Sequence, residues 1–464
     1  MARHRPVDRA RSVLGPFLAL VLLVGCGTST GTTGPSPSAA STGGSPHASP
    51  VASGSSSAAA TTAGEQRIED LDRLVDRLVA VHPNPFLDEG EDAFRARVAA
   101  IEARVGTLTD VGFLVAVMGL MGHRARDGHS GAWAFAQPST LLTAWPLWLW
   151  DFPDGLRVVA ARKPYTDLVG ARVTAVGHDP VDAARRAVEP LVPMDNASSL
   201  RANLPTFLLL PDVLAELGVL APNDPGLTLA MADGTSREVT PEPMPIDAYR
   251  DSMFGVYGGE FPEGLPPDSG GPPHLRHREL EFWSEAIARP SAIYVGYNAV
   301  RSRTSAGGSL ADLVTEVQTA AEAEPRRPVV VDLRNNGGGD NTTYLPLRNL
   351  LETIATDDPA RVRLIAGRST FSAAGNFVTD LLVGPQRAGI TLVGEPPGGG
   401  LNMYGDVAVV TLPNSKIVVL ISGRYHERAP GDDRLQIEPA VPAEVGWADY
   451  VARRDPVLDA AARH

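Results

Sequence analysis

Residues 328–334, PVVVDLR, set three valines in a row with a leucine close behind. A strand with one wet face alternates apolar and polar residues, whereas a parallel strand covered on both faces reads as a near-continuous apolar run. The stretch therefore predicts a buried parallel strand, and parallel strands need crossover connections, usually helices. The flanking sequence supplies them. AIYVGYNAV (292–300) reads as a strand, and Ser309 with Asp312 makes a capping-box start for a helix bearing Leu310, Leu313, Val314 and Val317. RVRLIAG, a helix over about 372–383, GITLVG, VAVVTLP and KIVVLIS continue the pattern. The expected class is α/β, with residues 281–464 as its core.

Upstream, the stripe Ile68, Leu71, Leu74, Val75, Leu78 and Val79 predicts a helix over 65–82, stopped by Pro83 and Pro85. Two more helices, near 91–105 and 109–121, make 65–140 a helical domain. LRVVAA, ARVTAVG and LTLAMA are short β-prone runs between Gly, Asp and Pro, so 141–250 reads as a β-rich module. Residues 251–280 are a connector, within which the Pro/Gly-rich stretch 258–274 is either a plain link or a flap.

The first 64 residues have a different character. Arg3, Arg5, Arg9 and Arg11 precede the short apolar core SVLGPFLALVLLVG, a secretory signal over residues 1–26. Cys26 ends it in Leu-Val-Gly-Cys, which looks like a bacterial lipobox, and it is the only cysteine of the chain. The resemblance implies cleavage before Cys26 and acylation there, anchoring the chain to a bilayer with its folded part outside the cytoplasm. Disulfides then cannot support the mature fold. Residues 27–64 hold no Asp, Glu, Lys or Arg and read as a flexible tether reaching roughly 30 to 37 Å. The net charge is −13; the signal carries four Arg and one Asp, +3, leaving −16 without it. So acidic a chain argues against nucleic acid as a partner.

Four stretches have the make-up of a catalytic site. Ser372, in TFSAA, sits where the helix over 372–383 begins, as an N-cap or as a nucleophile at the positive end of a helix. Asn335-Asn336-Gly337-Gly338-Gly339 follows the 328–334 strand, and consecutive glycines let amides approach a ligand or make a plain turn. Arg126-Asp127-Gly128-His129-Ser130 places a histidine, the side chain that titrates near neutrality, in a small-residue turn. Gly394-Glu395-Pro396-Pro397-Gly398-Gly399-Gly400-Leu401-Asn402 is a further loop after a strand. No phosphate loop, dinucleotide spacing or HExxH is present, so no cofactor or metal is expected.

The order DGHS, VVVDLRNNGGG, TFSAA, GEPPGGGLNMYGD, LPNS over residues 65–462 resembles the tail-specific, or carboxy-terminal-processing, serine proteases. More narrowly it resembles the branch of the tricorn core protease and the retinol-binding repeat proteins of the retina. The resemblance implies a ClpP/crotonase-like catalytic core of strand–strand–helix units, with a PDZ-like module over 141–250 where LVGARVTAVGHDPVDAARRA matches. It implies Ser372 as nucleophile and His129 as base, with Gly338 and Ala373 donating N–H groups to the oxyanion. The cap and nucleophile readings of Ser372 coexist. A Ser–Lys dyad is excluded, since Lys163 and Lys416 are the only lysines. Gly128 stands before His129, where the tricorn pattern has a serine. Glu427, Asp432 and Asp433 are the candidates for an acidic third member. The expected function is a membrane-anchored extracytoplasmic serine endopeptidase acting on peptides or proteins. The alternative is a non-catalytic binding lipoprotein on the same fold. An α/β-hydrolase elbow at Gly128–Ala132 fails because a helix, not a strand, precedes it.

Overall fold

The computed structural model describes residues 62–87, 89–255, 271–383 and 389–463. The signal over 1–26 with Cys26, all but the last three residues of the tether, and most of the 258–274 stretch lie outside the described residues. No helix among the described residues is long and apolar enough to cross a membrane.

The N-terminal part holds α1 (Ala63–Val81), α2 (Glu91–Glu102) and α3 (Asp110–Met121), as their spacing predicts. α1 starts two residues earlier than expected because Thr62 and Glu65 cap each other: the hydroxyl accepts the Glu65 N–H and the carboxylate accepts the Thr62 N–H. Its buried stripe is narrower than the apolar pattern. Leu71, Leu74 and Leu78 are fully buried, but Ile68 and Val79 are 38% and 48% exposed. Asp70 takes a place in the buried face instead, accepting the N–H groups of Asn414 and Ser415 at 2.8 and 2.7 Å.

Next come β1 (Leu147–Phe152), β2 (Gly155–Ala161) and β3 (Arg172–Val176), then α4 (Val181–Val188), α5 (Ala197–Phe207) and α6 (Pro211–Glu216), and finally β4 (Leu227–Ala230) and β5 (Ser236–Val239). The strands form one antiparallel sheet in the order β1-β2-β3-β4-β5, consistent with the PDZ-like expectation. α5 and α6 were not legible as helices. Pro205 lies inside the first, which reads locally as breakage, and the second is only six residues long. The buried residues of α1–α3 and of this sheet join in one continuous apolar cluster, so the helical and β-rich parts share a core across residue 140.

The C-terminal core runs β6 (Phe282–Ala288), β7 (Ser291–Tyr297), α7 (Leu310–Ala323), β8 (Val329–Asp332), α8 (Leu345–Asp357), β9 (Val362–Ala366), α9 (Ala373–Val383) and β10 (Thr391–Gly394). After it come β11 (Asn402–Thr411), β12 (Val418–Glu427), β13 (Val441–Pro442) and α10 (Pro456–Arg463). The main sheet has the order β13-β10-β9-β8-β7-β6, parallel throughout except for the edge strand β6. Val329 and Val331 pack with α7, α8 and α9 on one face, and Val330 packs against Val457 and Leu458 of α10 on the other. This two-sided burial is what the PVVVDLR run anticipated. VAVVTLP and KIVVLIS depart from expectation: they form an antiparallel hairpin, β11–β12, outside the main sheet. A short loop returns the chain directly, which favours antiparallel pairing, and Val410, Leu412, Ile417, Val419 and Ile421 then bury against the N-terminal cluster.

Candidate active site

Ser372 lies between β9 and α9, and its backbone is held in the left-handed region, with φ of +53°. An N-cap residue has extended backbone, and its side-chain oxygen accepts an amide of the first turn. Ser372 has neither feature. Its carbonyl accepts the Asn376 N–H at 3.0 Å, but among the described residues its Oγ makes no hydrogen bond. The conformation costs a β-substituted residue about 1–2 kcal/mol, so its surroundings must impose it. Thr370 Oγ1 donates to the Leu333 carbonyl at 2.8 Å, and the Phe371 N–H donates to the Asn336 carbonyl at 3.0 Å. From the other side, the Gly399 N–H donates to the Thr370 carbonyl at 2.9 Å. The serine loop is thus stitched between two glycine-rich loops.

Those glycines are needed for close approach. A Cβ on Gly338, where φ is +111°, would lie 2.6 Å from Ser372 Cβ and 3.0 Å from Ala373 N; one on Gly399 would lie 3.4 Å from Ser372 N. The amide of Ala373, first residue of α9, is among those a helix leaves without an intrahelical partner. The Gly338 amide, expected as a second oxyanion donor, is committed elsewhere: it donates to Asn336 Oδ1 at 2.9 Å. Asn336 is fully buried, and its Nδ2 donates to the Tyr297 carbonyl at 2.8 Å, which turns Oδ1 towards Gly338.

His129 reaches the same place from the other part of the molecule. Its turn follows α3 and docks on the β11–β12 hairpin: Tyr404 N–H donates to the Arg126 carbonyl at 2.8 Å, and Gly131 and Leu420 exchange backbone bonds at 3.0 Å. Ser130 Oγ accepts the Ser422 N–H at 2.9 Å. The imidazole stacks on Phe371, the residue before Ser372, with ring centroids 4.5 Å apart and planes 26° apart. His129 is 2% exposed; neither nitrogen meets strict hydrogen-bond geometry among the described residues, but the Tyr404 backbone lies near enough to favour the protonated ring. Burial pushes its pKa down to about 4, partly opposed by the Asp127 and Asp406 carboxylates and deepened by His426. Ser372 and His129 therefore flank Phe371, one next to it in the chain and the other stacked on its ring.

The carboxylates that act on His129 are not those expected. Glu427 is exposed at the end of β12, Asp432 pairs with Arg434 at 2.6 Å, and Asp433 is fully exposed beside Arg126. Strand alternation turns Glu427 outward and its neighbour His426 inward. His426 Nε2 meets Asp406 Oδ1 at 3.2 Å, and a Cβ on Gly405 would touch His426 at 3.3 Å and His129 at 3.8 Å. Asp127, two residues before the histidine, is fully buried. It accepts Ser422 Oγ at 2.7 Å, the Ser130 N–H at 3.2 Å and His82 Nε2 at 3.1 Å. His82 Nδ1 accepts the Asn84 N–H at 3.0 Å, so Nε2 carries the proton. His82, Arg124 and Ser422 hold the Asp127 carboxyl below its ordinary range against the opposing effect of burial. A residue-by-residue reading had no means of finding His82, Ser422 or His426, which come from two distant segments, the end of α1 and β12. Among the described residues no group of three or more His, Cys, Asp or Glu side chains converges as metal ligands would.

No protein-family model matches the chain, and no curated relative does. Solved structures do. A CPAF variant with a serine replaced by alanine superposes with a TM-score of 0.57 at 13% identity, over 84% of this chain and 95% of that one. The photosystem II D1 C-terminal processing protease gives 0.37 at 14% identity, over 82% and 92%. The tricorn protease gives 0.24 at 12% identity, over 69% and 28%. Over that stretch the chain has the mixed α/β fold of the first of these.

Proposed function

We propose that the chain is a serine peptidase of the tail-specific kind, in which Ser372 is the nucleophile and His129 the general base. The observation that carries the reading is Ser372: a non-glycine residue strained into left-handed backbone at the head of a helix, its hydroxyl uncommitted, with a buried histidine stacked on the residue before it. Strain of that kind persists only where the surroundings impose it, and it clusters at active sites. The motif order and the fold shared with CPAF support the same reading.

In the proposed reaction Ser372 Oγ attacks a peptide carbonyl carbon as its proton passes to His129. The new oxyanion faces the Ala373 N–H at the positive end of α9. Cleavage of the C–N bond releases the amine, which takes the proton from His129, and water reverses the sequence to free the acyl group. With a pKa near 4, His129 is neutral and able to accept a proton at physiological pH. Cys26, acylated after export, anchors this peptidase to a bacterial membrane on its extracytoplasmic side, with residues 27–61 as the spacer.

Labelling residues 62–464 with a fluorophosphonate probe tests the chemistry. An adduct on Ser372 that is lost in Ser372→Ala and slowed in His129→Ala is the expected result. A folded protein that takes no label, yet binds a peptide or lipid, points instead to the non-catalytic alternative. Globomycin-sensitive processing and metabolic labelling of Cys26 with palmitate test the anchor, and a Cys26→Ala chain that still partitions with membranes refutes it.

A further inference from the structure

Two glycine amides, one from each half of the candidate site, end on the same side chain. Asp195 lies in the loop before α5 and is fully buried. Its Oδ1 accepts the N–H of Gly128, the residue before His129, at 2.6 Å, and its Oδ2 accepts the N–H of Gly400 at 3.2 Å. Its carbonyl accepts the Arg126 N–H at 2.9 Å, and the adjacent Asn196 Nδ2 donates to the Pro397 carbonyl at 3.1 Å. Gly400 follows Gly399, which backs Ser372.

The chemistry of this side chain is costly for a plain structural link. Among the described residues no cation pairs with it, and burial pushes its pKa up to about 7 despite the two amides. The histidine turn carries Arg124, engaged with the Pro85 carbonyl, Arg126, engaged with the Asp433 carbonyl, Asp127 and His129. The glycine loop brings Glu395, engaged with Arg368, and α5 brings Arg201, engaged with Asp151 and Glu444. Of these, Asp127 acts on Asp195 and further disfavours its charge. A buried carboxylate without a counter-charge weakens a fold. Asparagine has one acceptor oxygen and cannot receive an amide at both ends; a carboxylate can.

We propose that Asp195 is a positioning residue: by gripping Gly128 and Gly400 together, its one carboxylate sets the separation between the His129 turn and the Ser372 loop. The inference rests on the Ser372–His129 reading above. Its test uses Asp195→Asn, which is nearly isosteric but keeps one acceptor, and Asp195→Ser, which reaches neither amide. Two readouts are compared with wild type: hydrogen-exchange protection of segments 126–130 and 398–402, and the rate of fluorophosphonate labelling between pH 5 and 9. The expected result is loss of protection in both segments with the rest of the chain unchanged, and labelling slower by about 100-fold, the cost of an ångström-scale misplacement. The wild-type rate falls as pH drops through about 7, and Asp195→Asn lacks that limb. Variants as protected as wild type, or labelled within twofold of it, overturn the proposal. If wild type itself takes no label, the nucleophile reading fails, and the exchange data alone decide whether Asp195 holds the two segments. If neither variant folds, equal protection of both segments in wild type at pH 6 and pH 8 overturns it.

Discussion

The two sides of the candidate site are built differently. Ser372 is fixed by its own neighbourhood: the ends of β8 and β9, the head of α9 and two glycine loops, joined by backbone bonds and close approach. His129 is fixed by remote parts: α3 behind it, the β11–β12 hairpin beneath it, His82 from the end of α1 and Asp195 from the loop before α5. The first arrangement is a property of the C-terminal ends of the sheet's central strands. The second depends on several segments arriving together, and it places the charges that govern the histidine.

The largest expected effect separates the sides most sharply. Replacing His129 by Ala removes the base and slows Ser372 labelling by about 10³-fold, with circular dichroism unchanged. Gly338→Ala strikes the serine side through the backbone. A Cβ 2.6 Å from Ser372 Cβ, at φ of +111°, forces the loop apart. It should lower stability by about 2 kcal/mol and labelling by about 100-fold. Retained labelling in a folded Gly338→Ala protein would break the comparison, since the serine side would then tolerate what its packing forbids.

What could be read in advance follows the same division. The Ser309 capping box is present as anticipated: its hydroxyl accepts the Asp312 N–H and the Asp312 carboxylate accepts the Ser309 N–H, both at 3.1 Å. The strands 291–297, 329–332 and 362–366 and the helix after Ser372 follow from local pattern, because each signal lies within one window. Period and composition mark β11 and β12 as strands and do not name their partners, so the pattern alone sets them in the main sheet. Residue type and position carry no backbone angle, so they leave a capping role open to Ser372. His426, His82 and Asp195 carry no local mark at all. Their significance arises only when segments tens to hundreds of residues apart come together.

A smaller effect sharpens the histidine side. Asp127→Asn removes a negative charge that favours protonated His129, so the histidine's pKa falls further and its acid limb moves below about 4. A weaker base should slow labelling by about tenfold. The same substitution has a stability signature. The Asp127 carboxyl titrates below its ordinary range in the fold; its contribution is present above the unfolded value near 3.8 and is lost as pH falls through the folded one. Urea unfolding at pH 7 should therefore show a deficit of about 1–3 kcal/mol that narrows in acid. A deficit independent of pH would mean that the carboxylate acts by shape alone.

The smallest effects come from the pair facing His129 across Gly405, and they should have opposite signs. Asp406 favours the protonated ring and His426 disfavours it, so Asp406→Asn should lower the His129 pKa and His426→Gln should raise it. Asp406 is about half exposed and its charge is screened, which keeps its shift small. The lower limb of the labelling profile, near pH 4, or NMR titration of the His129 ring, measures both. Added salt should shrink the Asp406→Asn shift while leaving the depression caused by burial in place. If both substitutions move the limb the same way, His426 and Asp406 act through the shape of the hairpin and not through charge. The histidine side would then owe its chemistry to burial and to Asp127.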